Sequence, residues 1–171
     1  TFDNTNGRIR VDMTRFDAGE LKNNVEFQAE YATLYLGYKV AIPEGVKAYV
    51  AVSTNNGYVQ FKEVEGVIPA VTPVLLENVG NSNIYEFAYT EGEAASVETN
   101  LLKGSIADRY VTGDAYVLTR KDGEICFGNV VLNKLDSTAF LNNANKAYLP
   151  ATALNGAAMS ASLRFDFGGT T

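Results

Sequence analysis

The sequence predicts an all-β domain, and three observations lead to that fold class. Apolar and polar residues alternate with a period of two along most of the chain. The dipeptides Asn56-Gly57 and Asp122-Gly123 separate alternating runs and supply the positive-φ residues of tight hairpin turns. Helical periodicity is almost absent. We therefore expect an antiparallel β-sandwich or partly closed barrel of about ten short strands, with almost no helix.

The strands follow from these patterns in chain order. Runs that alternate strictly, such as "RIRVDM" (8–13) and "SLRFDF" (162–167), predict strands with one face in the core. The run "YATLYLGY" (31–38) is apolar on both faces, which favours a strand in the middle of a sheet or under a second layer. One helical turn or two is expected only at 135–144, with Asp136 as N-cap. The remaining predicted strands are 46–52, 58–64, 74–77, 84–89, 115–119 and 124–128.

The domain organisation is predicted as one module with an N-terminal extension. At 171 residues the chain fits one ordinary domain, and a hydrophobic content of 46% is enough for a core. The chain begins at Thr1 without a signal segment, so we expect a processed or excised piece. Residues 1–30 are interpreted as a strand segment that belongs to the module or ends a preceding region, and residues 31–171 as the module itself.

Two segments of the module resemble each other, 47–89 and 114–167. In this alignment Tyr49 matches Tyr116, Gly57 matches Gly123 and Phe61 matches Phe127, while residues 72–76 fall on 145–149. Each segment reads as a hairpin, a crossing loop and two further strands. We predict an internal duplication, and chance similarity between β segments is the alternative.

The stretch "NNANKAYLP" (142–150) has two interpretations, a turn that leads into a strand or a polar binding loop with an aromatic platform. Asn tolerates left-handed backbone, so an exposed turn of Asn142, Asn143 and Asn145 is expected. Tyr148 and Leu149 are then in a strand, with both faces covered and Tyr148 largely buried.

Composition excludes several classes of chemistry. There is no histidine and only one cysteine, Cys126, which argues against His-based catalysis and zinc sites. Cys126 is expected to be a small, half-buried hydrophobic residue. We predict no catalytic residue, no metal ligand and no cofactor, and the chain is not expected to be an enzyme. A pair of carboxylates, as in glycosidases, is the one catalytic alternative.

The net charge of −6 and the lack of a Lys/Arg cluster argue against nucleic acid and anionic membranes as partners. Between Lys62 and Lys103 all charged residues are acidic, which indicates a solvated face. The opening "DNTNG" (3–7) has the composition of a calcium loop but not its spacing, so a turn is expected. No apolar run is long enough to span a membrane.

Glycan binding is the main alternative function, because sugar rings stack on flat aromatic side chains. The absence of Trp argues against it, since Trp offers the largest stacking face. The tyrosines that are candidates for this role are Tyr35, Tyr38, Tyr58, Tyr85, Tyr89 and Tyr110.

The phrases "VEGVIPAVTPVLLE" (64–77) and "NKAYLP" (145–150), with "LRFDFGG" (163–169), resemble a C-terminal all-β module of large secreted or cell-surface proteins of Bacteroidetes. The resemblance covers about residues 31–168. It implies an extracellular or outer-membrane-exposed accessory module without catalytic residues. The other domains of a parent protein are its expected partners, with glycans or host surface proteins as further candidates.

Overall fold

The computed structural model describes residues 21–130, 139–154 and 162–168, and these ranges form fifteen β-strands. A 3-10 turn at Ala151–Leu154 is their only helical element. The predicted all-β fold class is therefore confirmed. The strands are β1 (Lys22–Glu26), β2 (Tyr31–Leu34), β3 (Val40–Ala41), β4 (Val46–Asn55), β5 (Tyr58–Val64), β6 (Val67–Ile68), β7 (Val74–Asn78), β8 (Ile84–Ala88), β9 (Lys103–Ser105), β10 (Arg109–Thr112), β11 (Ala115–Lys121), β12 (Glu124–Val130), β13 (Ala139–Asn142), β14 (Lys146–Pro150) and β15 (Ser162–Asp166).

Nine strands form one sheet in the order β2-β7-β4-β5-β15-β12-β11-β14-β9. The sheet curves until its ends meet. The contact between them is a hydrogen bond from the Tyr35 N–H, just after β2, to the Asn145 carbonyl, just before β14, at 2.9 Å. The Ala147 N–H also donates to Thr33 Oγ1 at 3.1 Å. The result is a nearly closed barrel, which protects most strand edges from unwanted pairing. Three two-stranded sheets, β1-β8, β3-β6 and β10-β13, accompany it.

The two predicted hairpin turns form as the sequence dictates. Asn56 and Gly57 have φ of 52° and 83°, and Asp122 and Gly123 have φ of 54° and 79°. Positive φ at both central residues gives a turn whose twist matches that of the flanking strands. These turns join β4 to β5 and β11 to β12.

Strand pairing repeats along the chain in two units, which we call unit A (β2–β7, 31–78) and unit B (β9–β14, 103–150). In unit A the pairs are β2-β7, β3-β6, β4-β5 and β4-β7. In unit B the corresponding pairs are β9-β14, β10-β13, β11-β12 and β11-β14, all antiparallel as in unit A. The same pairings in the same order support the predicted relation between the two segments, and their common ancestry stays a prediction.

The strands that follow the two units differ. After unit A, β8 leaves the barrel and pairs with β1. After unit B, β15 inserts between the units, antiparallel to β12 and parallel to β5. The pairing order of 47–89 and 114–167 is therefore the same for the first four strands of each segment and differs at the fifth.

Two hydrophobic cores lie on opposite faces of the sheet. The inner core fills the barrel and combines both units, with Tyr49, Phe61, Tyr116, Phe127 and Leu149 among its buried members. The rings of Phe61 and Phe127, one from each unit, stack with centroids 6.2 Å apart. The outer core lies under β1-β8 and β3-β6 on the far side of unit A, and Val25, Val40 and Phe87 belong to it. Alternation along β4 and β7 divides their side chains between the two cores.

Some local predictions need correction. Residues 139–142 of the predicted helical segment form β13, since they pair with β10; residues 135–138, with Asp136, lie outside the described residues. β2 is an end strand of its sheet rather than a middle one, and its apolar character reflects the covering layer. The predicted strand 8–13 and the "DNTNG" turn also lie outside the described residues. The boundary at residue 30 stays a prediction, although β1, which precedes it, pairs with β8.

Candidate functional site

The described residues offer no metal-binding cluster and no reactive thiol. No three His, Cys, Asp or Glu side chains in the described ranges come together as a metal site would require. Cys126 is buried, and desolvation raises the pKa of its thiol, which disfavours the reactive thiolate. Cys126 is thus more buried than predicted and is suited to packing.

One polar cluster closes an end of the barrel interior, where Glu77 points inward from β7. The Tyr49 hydroxyl donates to Glu77 Oε1 at 2.8 Å, and the Tyr31 hydroxyl donates to Oε2 at 3.4 Å. Burial, aided by the Glu77 charge, raises the pKa of Tyr31 to about 12 and raises the pKa of Tyr49 as well. Both tyrosines therefore remain protonated donors at neutral pH. Sequence reasoning missed this cluster, because Tyr31 and Glu77 are 46 residues apart.

The six candidate tyrosines do not gather in one groove. Tyr85 is buried against Phe27 and hydrogen-bonds to Asn78, so it is a core residue. Only Tyr58 (39%) and Tyr110 (72%) are exposed. Tyr110 lies opposite Leu141 on β10-β13, whereas Tyr58 lines a cavity of about 360 Å³ beside β15. Tyr35, Tyr38 and Tyr89 are half-buried.

The stretch 142–150 divides into structural and exposed residues. Asn142 is buried at the end of β13, where its amide donates to Ser105 Oγ and to the Lys146 carbonyl at 2.9 and 3.0 Å. The predicted exposed turn is therefore wrong for Asn142 and right for Asn143, which is exposed. Asn145 is half-buried and has a φ of 64°, the left-handed backbone expected of Asn.

The strand of this stretch is β14, as predicted for Tyr148 and Leu149. Leu149 lies opposite Tyr116 as Leu75 lies opposite Tyr49, so Leu149 corresponds to Leu75 rather than to Leu76. A shift of one residue exchanges the faces of a strand. Leu149 thus enters the inner core, whereas Tyr148 is only half-buried and packs edge-on to Phe140 at 5.5 Å. The prediction that Tyr148 is largely buried is therefore wrong.

At the seam, where the barrel ends meet, Asn145 of unit B bonds to Tyr35 of unit A, and Val71 is the residue of unit A that corresponds to Asn145. The Val71 N–H donates to the Leu36 carbonyl and the Asn145 N–H to the Ser105 carbonyl, each at 2.8 Å. Both residues have positive φ, 50° for Val71 and 64° for Asn145. Asn145 adds a side-chain bond from Nδ2 to the Tyr35 carbonyl at 2.9 Å, which Val71 cannot match. A side-chain hydrogen bond therefore holds the seam at Asn145 and not at Val71.

Two cavities flank the seam and are built from corresponding residues of the two units. The first, of about 480 Å³, lies between the 69–73 loop and the segment that leads into β9. The second, of about 440 Å³, lies between the 142–147 turn and the segment that leads into β2. The lining residues recur with the same spacing: Ala95, Val97, Asn100 and Leu102 in the first match Glu26, Gln28, Tyr31 and Thr33 in the second, and Pro69, Thr72 and Pro73 match Asn143, Lys146 and Ala147.

We call these the apolar cavity and the polar cavity after the corresponding residues that differ between them; Asn100 and Lys103 also line the apolar cavity, and Val117, Leu118 and Val130 also line the polar one. Sequence reasoning missed both, because each combines segments that are distant in the chain. The signal available in the sequence was the similarity of the two units, which brings "IPAVTP" and "NNANKA" to corresponding places.

The chain was compared with protein-family models, with curated proteins and with solved structures, and none of the three comparisons found a match. In the described ranges, no helix has the length and apolar character needed to cross a membrane.

Proposed function

We propose that this chain is a non-catalytic accessory module, structural or adhesive, of a larger secreted or surface protein. The observation that carries the proposal is the filled interior of the barrel. Tyr116, Phe127 and Leu149 of unit B pack there against Tyr49 and Phe61 of unit A, all of them buried. A barrel lumen filled in this way has no room for a substrate, so the surface is what remains for function.

The polar chemistry of the interior also supports a scaffold. Glu77 accepts hydrogen bonds from two tyrosines whose raised pKa keeps them protonated, so both oxygens of this carboxylate are engaged in holding the interior together. The charges of Glu30 and Glu63 add to the same pKa shifts. No buried side-chain polar atom in the described ranges lacks a hydrogen-bond partner. Catalytic sites usually keep some strained or under-satisfied polar groups, and this interior has none among those atoms.

The location and attachment are part of the same proposal and rest on the resemblance of "IPAVTPVLLE" and "NKAYLP" to surface-protein modules. External protease added to intact cells that express a tagged parent protein should release or cleave the module. Protection of the module until the cells are lysed would contradict the surface location.

Catalysis is tested directly on the purified chain. Incubation with polysaccharides and with casein should release no reducing sugar and no peptide. Turnover that Glu77→Gln abolishes while the fold is kept would refute the proposal, because Glu77 is the carboxylate that the barrel places among aromatic residues. Glu124→Gln, at an exposed ion pair with Arg164, is the matched control for loss of a carboxylate.

A further inference from the structure

The polar and apolar cavities occupy corresponding places in the two units but carry different chemistry. At four corresponding positions the side chain in the apolar cavity is a hydrocarbon and the one in the polar cavity is polar. In the apolar cavity these hydrocarbons serve packing, since Ala95 and Val97 pack against the outer core and Leu102 belongs to the inner core, whereas Glu26 and Gln28 in the polar cavity are exposed. The pairs are Ala95 and Glu26, Val97 and Gln28, Leu102 and Thr33, and Pro69 and Asn143.

Within the described part of the chain, four of the polar side chains that line this cavity make no structural hydrogen bond or ion pair, whereas Asn142 does. Glu26, Gln28, Asn143 and Lys146 are exposed, and their side chains make no hydrogen bond or ion pair with any described residue. Thr33 differs, since its hydroxyl accepts the Ala147 N–H. Four unpaired hydrogen-bonding groups of three chemical types therefore surround one cavity, where they are available to a ligand.

The charges of these four side chains indicate which class of ligand the polar cavity can bind. One carboxylate (Glu26) and one ammonium (Lys146) leave the cavity close to neutral, and the two amides both donate and accept hydrogen bonds. Glu26 would repel a phosphate, and Lys146 would repel a cation. A hydroxyl group donates and accepts, so a ligand with several neutral hydroxyls can satisfy all four side chains.

The walls of the cavity add an apolar component. Tyr31 and Phe140 are among its lining residues, and both are half-buried. Aromatic surface suits the C–H face of a sugar ring. Partial burial also lowers the pKa of Lys146, consistent with a side chain that lies against the cavity wall.

We propose that the polar cavity binds one hexopyranose residue of a glycan, with Glu26, Gln28, Asn143 and Lys146 on its hydroxyls and Tyr31 and Phe140 beside its ring. This inference deepens the adhesive side of the proposed function and rests on it. It places glycan binding on residues other than the exposed Tyr58 and Tyr110.

The test is a titration of the purified ¹⁵N-labelled chain with three probes: methyl β-D-glucopyranoside, methyl β-D-galactopyranoside and methyl α-D-mannopyranoside. At least one should shift the side-chain amide signals of Gln28 and Asn143 saturably at about 1–50 mM, the range of weak single-site binding. Gln28→Ala and Asn143→Ala should each weaken that binding by about fivefold to tenfold, as the loss of one hydrogen bond predicts. Val97→Ala, the matched change in the apolar cavity, should leave it unchanged.

Three results would overturn the inference: no saturable shift with any probe, binding that Gln28→Ala and Asn143→Ala leave intact, or shifts centred on Tyr58 or Tyr110. The proposed function fails separately, through turnover of a substrate. The two failures are therefore distinguishable, because one is read from binding shifts and the other from released product.

Discussion

Replacing Val71 by Asn should stabilise the protein, although Val71 is exposed and belongs to neither core. A β-branched residue at a φ of 50° is an outlier, and left-handed backbone costs such a residue about 1–2 kcal/mol. Asn tolerates this conformation, as Asn145 does at the corresponding position of unit B.

The other contributions are smaller. Val71 is 61% exposed, so the methyl burial lost is about two-fifths of the ~1.5–3 kcal/mol of a fully buried Val. A new bond from the Asn amide to the Gly104 carbonyl, the counterpart of the Asn145–Tyr35 bond, would return about 0.5–1.5 kcal/mol. The net expectation is a gain of about 1 kcal/mol in the free energy of unfolding, or about 2–4 °C in Tm for a domain of this size.

Urea unfolding followed by circular dichroism measures the change. The matched control is Asn145→Val, which introduces the left-handed strain and removes the Asn145 Nδ2 bond to Tyr35, and should lose about 2–3 kcal/mol. If Val71→Asn is no more stable than the parent, or if Asn145→Val costs nothing, then backbone strain at the seam does not govern these positions.

Three further predictions concern other parts of the fold. Asn142→Ala should lower the free energy of unfolding in urea by about 1–3 kcal/mol, because it leaves Ser105 and the Lys146 carbonyl without their donor. Replacing the exposed Asn143 by Ala should cost well under ~1 kcal/mol. Equal effects would contradict the burial of Asn142. Gly104→Ala should cost about 1–3 kcal/mol of stability, since the new Cβ would lie 2.7 Å from Tyr35 Cβ. Gly37→Ala should be tolerated, because its new Cβ would lie 3.9 Å from the nearest atom. Equal melting temperatures for the two variants would refute the close approach at Gly104. The folded state raises the pKa of Tyr31 from 10.0 to about 12, so the protonated tyrosine stabilises the fold fully below pH 10, and this stabilisation is lost as the pH rises toward 12. Unfolding midpoints measured from pH 9 to 12 should therefore fall. A flat profile would refute the Tyr31–Glu77 contact.

The parts of the fold that the sequence predicted are those governed by local physics. The hairpins at Asn56-Gly57 and Asp122-Gly123 formed because the turn geometry needs only the residues within it. Strand alternation also predicted that β15 would place one set of its side chains in the core, and Leu163 lies in the inner core. Both signals lie within a few neighbouring residues.

The parts that could not be predicted depend on distant pairing. Nothing near β15 in sequence indicates that it runs parallel to β5, and the Asn145–Tyr35 bond joins residues 110 positions apart. Tyr148 was expected to be covered by analogy with unit A, but the outer core that buries Val74, the corresponding residue, includes no residue of β14, a difference that local apolar character could not reveal. The cavities were missed because each is bordered by segments that are distant in the chain and meet only after the seam has formed.

The place of β15 in the barrel has a consequence for synthesis. Units A and B each pair their own strands, but β15 lies C-terminal to both and joins β5 of one to β12 of the other. A ribosome therefore delivers the joining strand last, and until residues 162–166 emerge the nascent chain carries two open strand edges. Open edges are the sites at which partly folded chains associate wrongly. Translation arrest or proteolytic clipping before β15 should thus yield aggregating fragments, and chaperones that shield β5 and β12 would be needed most during that interval.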